Sequence, residues 1–445
     1  MRAELGRIVG AEHVLAGDSA EYLHDSTDTR GVRGRADAVV LPGTAEEVAE
    51  VLAWCYEQGV PITPRGGGTG YAGGAVPLGG VVLSLERLTR VRSFDPLLWR
   101  MEVEAGVRTA EVRRLARESG LFFPPDPGGA EQSQIGGNIA TNAGGPHAFK
   151  YGVTGCWVTG LEAAIPPGEL VRTGGPIRKD AAGYDLKALL VGSEGTLGIV
   201  TAAWLRLLPA PEAVHPVVAF FGNVRSGCEA ILRVVGSGLE AAALEYLDAG
   251  ALAAAGPSYP GGVPPGAGFM VIAEADGSRD EAARLRDELL AALGGGALAA
   301  ETPPAAELWR WRDGVVFAVI AQRGGKLGED IAVPLDRLAE AIEESVAIGP
   351  RHGLAAVSWG HAGDGNLHTN FLVAPGNPEE LARAERAGEE LMDLALRLGG
   401  TVSGEHGLGL LKRGHAGWPA RVATIQQEIK DAFDPKGLLN PGKKL

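Results

Sequence analysis

The segment Trp359 to Phe371, WGHAGDGNLHTNF, carries two histidines, His361 and His368, with Asp364 and Asn366 between them. A second segment, Gly404-Glu405-His406-Gly407, adds a carboxylate and a third imidazole. Neutral imidazoles with a carboxylate are the usual ligands of a catalytic divalent metal, and two histidines plus one glutamate leave positions open for water or substrate. The spacing is unlike the i, i+4 histidine pair of a zincin helix. Gly360, Gly363 and Gly365 predict a loop leading into a strand. If a metal takes two imidazoles and the glutamate, one imidazole is left to move a proton. Only nine histidines occur in the chain, and three fall in these glycine-framed clusters. Sequence spacing alone does not bring the clusters together; three surface histidines and a turn are the plainer alternative.

A different chemistry is suggested by Pro64 to Gly74, PRGGGTGYAGG, where six of eleven residues are glycine. Without Cβ atoms, successive backbone N–H groups can converge on an anion. The apolar runs Val60-Pro61-Ile62 and Val81 to Leu85 flank it and predict two short buried strands. No Gly-Lys-Ser/Thr closes the loop and no long helix starts from it, so neither the triphosphate loop nor the Rossmann fingerprint fits. Ile135 to Gly145, IGGNIATNAGG, is small, amide-rich and uncharged. It suits a wall against a neutral planar ligand better than a plain turn. In GSEGTLGIV, residues 192–200, Glu194 sits between small residues, where its carboxylate can accept hydrogen bonds from sugar hydroxyls.

The elements that must position these groups alternate along the chain. After a short amphipathic helix and loop over 1–35, Asp37 to Leu41 predicts a strand. Thr44 caps a helix through Tyr56, with Glu47 completing the box. A strand over 101–105, a helix from Thr109 to Ser119 and a proline-stiffened turn over 122–127 follow. Strands are predicted over 158–165 and 201–208, and Pro209-Ala210-Pro211 reads as a domain junction. Beyond it, strands near 217–221, 270–274 and 331–335 alternate with helices near 226–235, 278–293, 338–346 and 387–398, which suggests an α+β or α/β layer.

At 445 residues the chain is too long for one core, and two or three domains are expected. A formal net charge of −14 argues against nonspecific binding to nucleic acid or to an anionic bilayer. Three scattered cysteines form neither a CxxC pair nor a disulfide framework, so a reducing compartment is expected. The N-terminus lacks an apolar signal core, and no uninterrupted apolar span occurs, so no transmembrane segment is expected.

Taken together, these segments resemble a flavoprotein family. PRGGGTGYAGG, PPDPGG at 124–129, IGGNIATNAGG, KYGVTG at 150–155, GYDLKALLVGSEGTLGIV at 183–200, WGHAGDGNLHTNF, GEHGLG at 404–409 and GLLNPGK at 437–443 occur in the order found in the vanillyl-alcohol oxidase / p-cresol methylhydroxylase superfamily. More narrowly they resemble its glycolate oxidase D-subunit, D-lactate dehydrogenase and D-2-hydroxyglutarate dehydrogenase group. The resemblance implies an α+β chain: a two-subdomain FAD-binding domain over 1–209, an α+β substrate domain with an antiparallel sheet over 210–415, and a segment over 416–445 that returns to the first domain. It implies cofactor contacts from Arg65, Gly66, Gly67, Gly68, Thr69, Gly70 and Gly73 around the pyrophosphate, from Asp126, and from a wall at Gly136, Gly137, Asn138, Thr141, Asn142 and Gly144. Glu194, Gly198 and Ile199 would lie near the ADP part and Asn440 near the flavin. Some relatives attach the flavin through a histidine in the first loop; GGGTG has none, so non-covalent FAD is expected.

The same resemblance assigns His361, His368 and Glu405 to a divalent metal, Zn²⁺ or Mn²⁺, His406 to the base, and Arg312 and Lys326 to the substrate carboxylate. It implies oxidation of a D-2-hydroxy acid, glycolate or D-lactate, to the 2-oxo acid, with hydride passing to flavin N5. Reoxidation would need a quinone, an electron-transfer protein or a partner subunit, and a homodimer is compatible with the pattern. A cytoplasmic enzyme, peripheral at the inner membrane through a partner, is the expected setting. Gly328 and Val316 stand where the 2-hydroxyglutarate enzymes carry polar groups, which argues against that substrate. A metal-dependent hydrolase would leave the glycine segments without purpose; a non-catalytic flavin subunit of an electron-transfer complex is the other alternative.

Overall fold

The structure is a computed structural model covering residues 1–445. Its chain contacts divide into two units. One comprises Met1–Gly145, Gly152–Ala210 and Glu405–Leu445; the other comprises Pro146–Tyr151 and Pro211–Gly404.

In the first unit the strands Ala38–Val40, Val81–Ser84 and Ile62–Arg65 form a parallel set, with Val14–Ala16 antiparallel at one edge. The crossover helix Ala45–Gln58 starts where Thr44 accepts the Glu47 N–H at 3.1 Å, while the Glu47 carboxylate takes the Gly43 N–H at 2.6 Å. The first bond satisfies a donor that a helix start leaves unpaired; the second reaches Gly43, one residue before the cap, so the expected box is not closed. Val48, Val51, Leu52 and Cys55 are buried against the sheet. Gly59, at φ +67°, ends the helix in the left-handed conformation that glycine adopts without a Cβ clash. A second, five-stranded antiparallel sheet follows, ordered Val91–Asp95, Arg100–Glu104, Ile199–Arg206, Val158–Ile165, Glu169–Gly174. The C-terminal residues rejoin the first sheet: the Asn440 N–H donates to Ile62 O at 2.8 Å and Lys436 donates to Tyr56 O.

The second unit is built on a seven-stranded antiparallel sheet. Its order is Ala299–Glu301, Ala213–Phe221, Phe269–Gly277, Ala243–Asp248, Ala356–His361, Asn366–Val373, Gly325–Ala332. Side chains alternate across a strand, so each strand feeds two faces. Tyr246, Phe269, Val271 and Phe371 pack under the helices Val224–Gly236, Arg279–Gly294, Leu338–Arg351 and Pro378–Arg397. On the opposite face Leu247, Met270, Ile272, Val357 and Trp359 meet the helices Ala249–Ala255 and Ala305–Ala321. At ~1.5–3 kcal/mol per fully buried large apolar side chain, both faces contribute strongly to holding the sheet.

One segment gains a conformation that the sequence left open, and one local expectation is corrected. The small-residue stretch from Ile135 is a helix, Ile135–Thr141, ended by Asn142 at φ +55°. Its glycines allow close packing, since a Cβ on Gly136 would come within 2.7 Å of Ala105 Cβ. The glycines around His361 do not make a loop before one strand. They sit in a hairpin, with His361 ending Ala356–His361, a 3₁₀ turn over Ala362–Asp364, and His368 on Asn366–Val373.

Candidate active site

Strand register assembles the polar half of the second unit. His361 lies directly across from Glu245, and His368 directly across from Asp330. Both carboxylates are fully buried. Glu245 Oε1 pairs with His361 Nδ1. Asp330 Oδ1 lies 3.9 Å from His368 Nδ1 and accepts from Asn366 Nδ2, while Oδ2 accepts from Ser403 at 3.0 Å. The two imidazoles present Nε2 to Nε2 at 3.4 Å, with their rings near perpendicular at 87°. At His361 the Glu245 carboxylate on Nδ1 fixes the tautomer that leaves Nε2 as the ligating nitrogen. Two nitrogens bound tetrahedrally at ~2.0–2.1 Å from one Zn²⁺ would be about 3.4 Å apart, so this pair fits a divalent ion.

Arg312 comes from the helix Ala305–Ala321, whose buried residues Leu308, Trp311, Arg312, Val315 and Val319 form its sheet-facing stripe. Its Nη2 donates to Glu245 Oε2 at 2.5 Å, and its Nε has no hydrogen-bond partner. Burial alone would raise the Glu245 carboxyl, but the charges of His361 and Arg312 outweigh it and hold its pKa at about 2. Lys326 donates to Asn370 Oδ1 at 2.6 Å and lies 5.7 Å from the Trp359 ring centroid. Gly328 leaves room for the Lys326–Asn370 pair: a Cβ there would meet Asn370 Oδ1 at 2.6 Å and Lys326 Nζ at 2.8 Å. The same sheet face continues into Glu274 and Asp276. Glu274 holds His147, at 2.8 Å, and the Trp309 indole N–H; Asp276 holds Lys150 and Tyr151.

In the first unit, the glycine loop lies beside the small-residue helix. A Cβ on Gly66 would be 3.4 Å from Gly137 Cα, and one on Gly67 would be 2.3 Å from Gln132 O. Gly68 is at φ +68°, with the Arg65 guanidinium beneath it. The Arg65 side chain donates to His24 O and Glu21 O, so its guanidinium is held beneath the loop by main-chain acceptors. Gly73, at φ +78°, packs on Leu410, and Gly70 lies near Asp25. Thr69 O accepts from Ser26 Oγ at 3.2 Å. Asn138 donates to Thr109, Thr141 to Gly137 O, and Asn142 Oδ1 accepts from Gly155 N–H. Gly145, at φ +136°, packs on Asp126, while a Cβ on Gly144 would meet Glu405. Gly198 is pressed on Leu190 and Ile165, and Ile199 is buried in the core.

Glu194, at φ +53°, directs both oxygens to the returning segment, accepting the Leu408 N–H at 2.9 Å and the Gly409 N–H at 2.7 Å. Its carboxylate thus positions the backbone just after His406. His406 stacks on Tyr71 with centroids 4.9 Å apart. Asn440 donates to Gly74 O and Glu194 O, while its Oδ1 and the Oε1 of Gln134 are buried acceptors without a partner. Amide-lined glycines beside two unsatisfied acceptors suit a ligand with both a pyrophosphate and sugar-like hydroxyls, which is the donor and acceptor pattern of FAD.

The structure therefore places His361, His368, Arg312 and Lys326 on or against one sheet face of the second unit. Glu405, His406 and the glycine segments belong to the first. Sequence reasoning missed Glu245 and Asp330. A carboxylate flanked by apolar residues within a strand, as Glu245 is in ALEYLD, was the available signal. His147 and the Trp309 indole are both tied to Glu274.

Comparison with known proteins gives the family. Residues 36–174 match an FAD binding domain, and residues 210–444 match the C-terminal domain of FAD linked oxidases. The chain is 34% identical to the glycolate oxidase subunit GlcD of Bacillus subtilis, covering 100% of this chain and 96% of that one. It is 32% identical to the D-lactate dehydrogenase of Anaerostipes hadrus, over 98% and 95% respectively. The structure of p-cresol methylhydroxylase with substrate bound superimposes with a TM-score of 0.83 at 18% identity, over 100% of this chain and 96% of that one. The chain belongs to the FAD-linked oxidases of the vanillyl-alcohol oxidase / p-cresol methylhydroxylase fold, in the group that includes GlcD, D-lactate dehydrogenase and D-2-hydroxyglutarate dehydrogenase.

Proposed function

We propose that this chain oxidises a small D-2-hydroxy acid, glycolate or D-lactate, to its 2-oxo acid. The observation that carries the reading is the carboxylate-backed pair His361 and His368, on the sheet face that also carries Lys326 and receives Arg312. The names of the relatives point to the same substrate class.

Gly66–Gly70 and Gly137 would hold FAD without a covalent link, and the cofactor would supply the hydride acceptor. His361, His368 and Glu405 are the residues that would hold a divalent cation, which would supply positive charge near the substrate hydroxyl. Glu405 follows directly on Gly404, which lies against Asn366 and Asp330 at the rim of the histidine hairpin. The substrate carboxylate is held by Arg312, whose unpartnered Nε and remaining guanidinium hydrogens can donate while Nη2 stays on Glu245. Lys326 adds a second, movable donor, released from Asn370 when a carboxylate arrives. Neutral His406 accepts the hydroxyl proton. Gly328 and Val316 offer no group for a second carboxylate, which favours monocarboxylic acids over D-2-hydroxyglutarate. Electrons then leave to a quinone, an electron-transfer protein or, as the word subunit in the GlcD relative's name suggests, a partner chain.

The test is anaerobic mixing of FAD-loaded protein with glycolate, D-lactate and D-2-hydroxyglutarate, followed by flavin bleaching near ~450 nm. Glycolate or D-lactate should bleach it fastest. A flavin that all three leave oxidised would refute the reading. With an active acid in hand, His406→Ala should retain FAD and metal yet reduce ~10²–10⁴-fold more slowly. Unchanged reduction would remove His406 from the base role.

A further inference from the structure

The first unit carries a surface that the flavin chemistry does not use. The strands Val91–Asp95 and Arg100–Glu104 are joined by Pro96-Leu97-Leu98-Trp99, and the tip is apolar: Leu97 is 86% exposed and Leu98 49%. Ile177, 50% exposed, lies on a neighbouring loop tied to the hairpin by Arg100 Nη1 donating to Pro176 O at 3.1 Å. Behind the tip is a cavity of about 360 Å³ lined by Leu97, Leu98 and Trp99, by Arg100, Arg178 and Arg206, and by Thr159, Pro176 and Ile177. No carboxylate lines it. Arg100 has Asp95 at 3.5 Å. Arg178 and Arg206 have no ion pair and rest only on the faces of Trp99, at 5.2 Å, and Trp157, at 4.4 Å. Arg206 is also the direct cross-strand partner of Arg100. Like charges in that register repel unless an anion sits between them.

We propose that this surface docks on the headgroups of an anionic phospholipid bilayer. Arg178 and Arg206, without an ion pair, complement lipid phosphates beside Arg100, and the exposed leucine tip supplies apolar surface for the headgroup–acyl boundary. Trp99 and Trp204, each under an arginine, suit the interface between water and lipid. The chain as a whole is acidic, at −14, so this cluster runs against its composition. Charges beyond about 10 Å are screened at ordinary ionic strength, which lets a local basic patch act alone. A soluble phosphate ester would leave the projecting leucines in water, and an acidic protein groove would have to receive a narrow hairpin tip; a bilayer accommodates both features. No helix of the chain is long and apolar enough to cross a membrane, so the contact is peripheral.

Co-sedimentation of the FAD-loaded full chain with vesicles tests this. Phosphatidylcholine vesicles containing phosphatidylglycerol should pull the protein down at 50 mM salt and release most of it at 0.5 M; pure phosphatidylcholine should not bind it. Arg178→Gln/Arg206→Gln should weaken binding roughly 30-fold, at about one basic contact's worth per residue. Leu97→Ser/Leu98→Ser, at exposed positions that leave the fold intact, should weaken it about tenfold. Flavin bleaching by substrate should be unchanged in both variants. No binding to phosphatidylglycerol vesicles at low salt overturns the proposal and leaves the patch to an acidic protein. Binding that neither double variant weakens overturns it as well.

Discussion

Removing Glu245 should destabilise the second unit far more than any exposed substitution, and removing Arg312 with it should undo most of the loss. Glu245 is fully buried and pairs with both Arg312 and His361, and the Arg312 side chain is itself only 10% exposed. Breaking such a pair from one side strands a charge in the interior and costs ~3–5 kcal/mol, whereas an apolar pair of similar volume is often neutral. Glu245→Ala should therefore lose ~3–5 kcal/mol, and Glu245→Met/Arg312→Met no more than ~1–2 kcal/mol. The coupling between the sites should exceed ~2 kcal/mol in a double-mutant cycle. Urea unfolding followed by tryptophan fluorescence is the assay, since Trp309, Trp311 and Trp359 report on this unit. A second readout is chelator competition for Zn²⁺: with the His361 tautomer no longer held, Glu245→Gln should bind the ion ~10–100-fold more weakly. If Glu245→Ala costs under ~1 kcal/mol, or the double variant is no better than the single one, the buried triad does not work as described.

Three further outcomes follow. Gly67→Ala should destabilise the protein even without cofactor, because its Cβ would fall 2.3 Å from Gln132 O; Gly137→Ala, whose Cβ meets nothing within 4 Å, should leave apo stability unchanged or raised by ~0.5–1 kcal/mol while weakening FAD retention. Thermal shift with and without FAD separates the two, and equal FAD affinity in Gly137→Ala would move the cradle elsewhere. Burial pushes the Asp248 carboxyl up to about 7, so the stability tied to its protonated form is full below about pH 3.8 and fades as pH rises through 7. Asp248→Asn keeps an acceptor for the Ala251 N–H and should stabilise the protein by ~1–4 kcal/mol at pH 8 but not at pH 4, as denaturation at the two pH values would show. Arg312→Lys should raise the KM for the acid substrate by at least tenfold, since an ammonium cannot serve Glu245 and a carboxylate in the fork geometry of Arg; an unchanged KM would take Arg312 out of substrate binding.

Much of this was legible because period and punctuation agree. Thr44 with Glu47, the face Val48, Val51, Leu52 and Cys55, and Gly59 specify the helix Ala45–Gln58 within a residue or two. Ser278 and Glu281 do the same for Arg279–Gly294. The histidine hairpin was harder. Glycines at 360, 363 and 365 suggest a loop, yet Gly360 sits within a strand because Asn366 O approaches to 2.3 Å of where its Cβ would be. The helix Ile135–Thr141 was hidden by glycines that count against helix until close packing on Ala105 requires them. The pairing of Glu245 and Asp330 with the two histidines could not be foreseen, because it lies in cross-strand register, and register is a property of the folded sheet.

The hexapeptide Pro146–Tyr151 leaves the first unit between two glycines at positive φ, Gly145 at +136° and Gly152 at +76°, and belongs to the second. Its His147, Lys150 and Tyr151 are partners of the buried Glu274 and Asp276. The chain thus passes between the two units four times rather than once. A fragment beginning at Pro211 would carry two interior acids stripped of their counterparts, and cutting the gene at the obvious proline junction would yield neither half whole. Any scheme that swaps substrate modules among relatives must carry this short strap along with the module it serves.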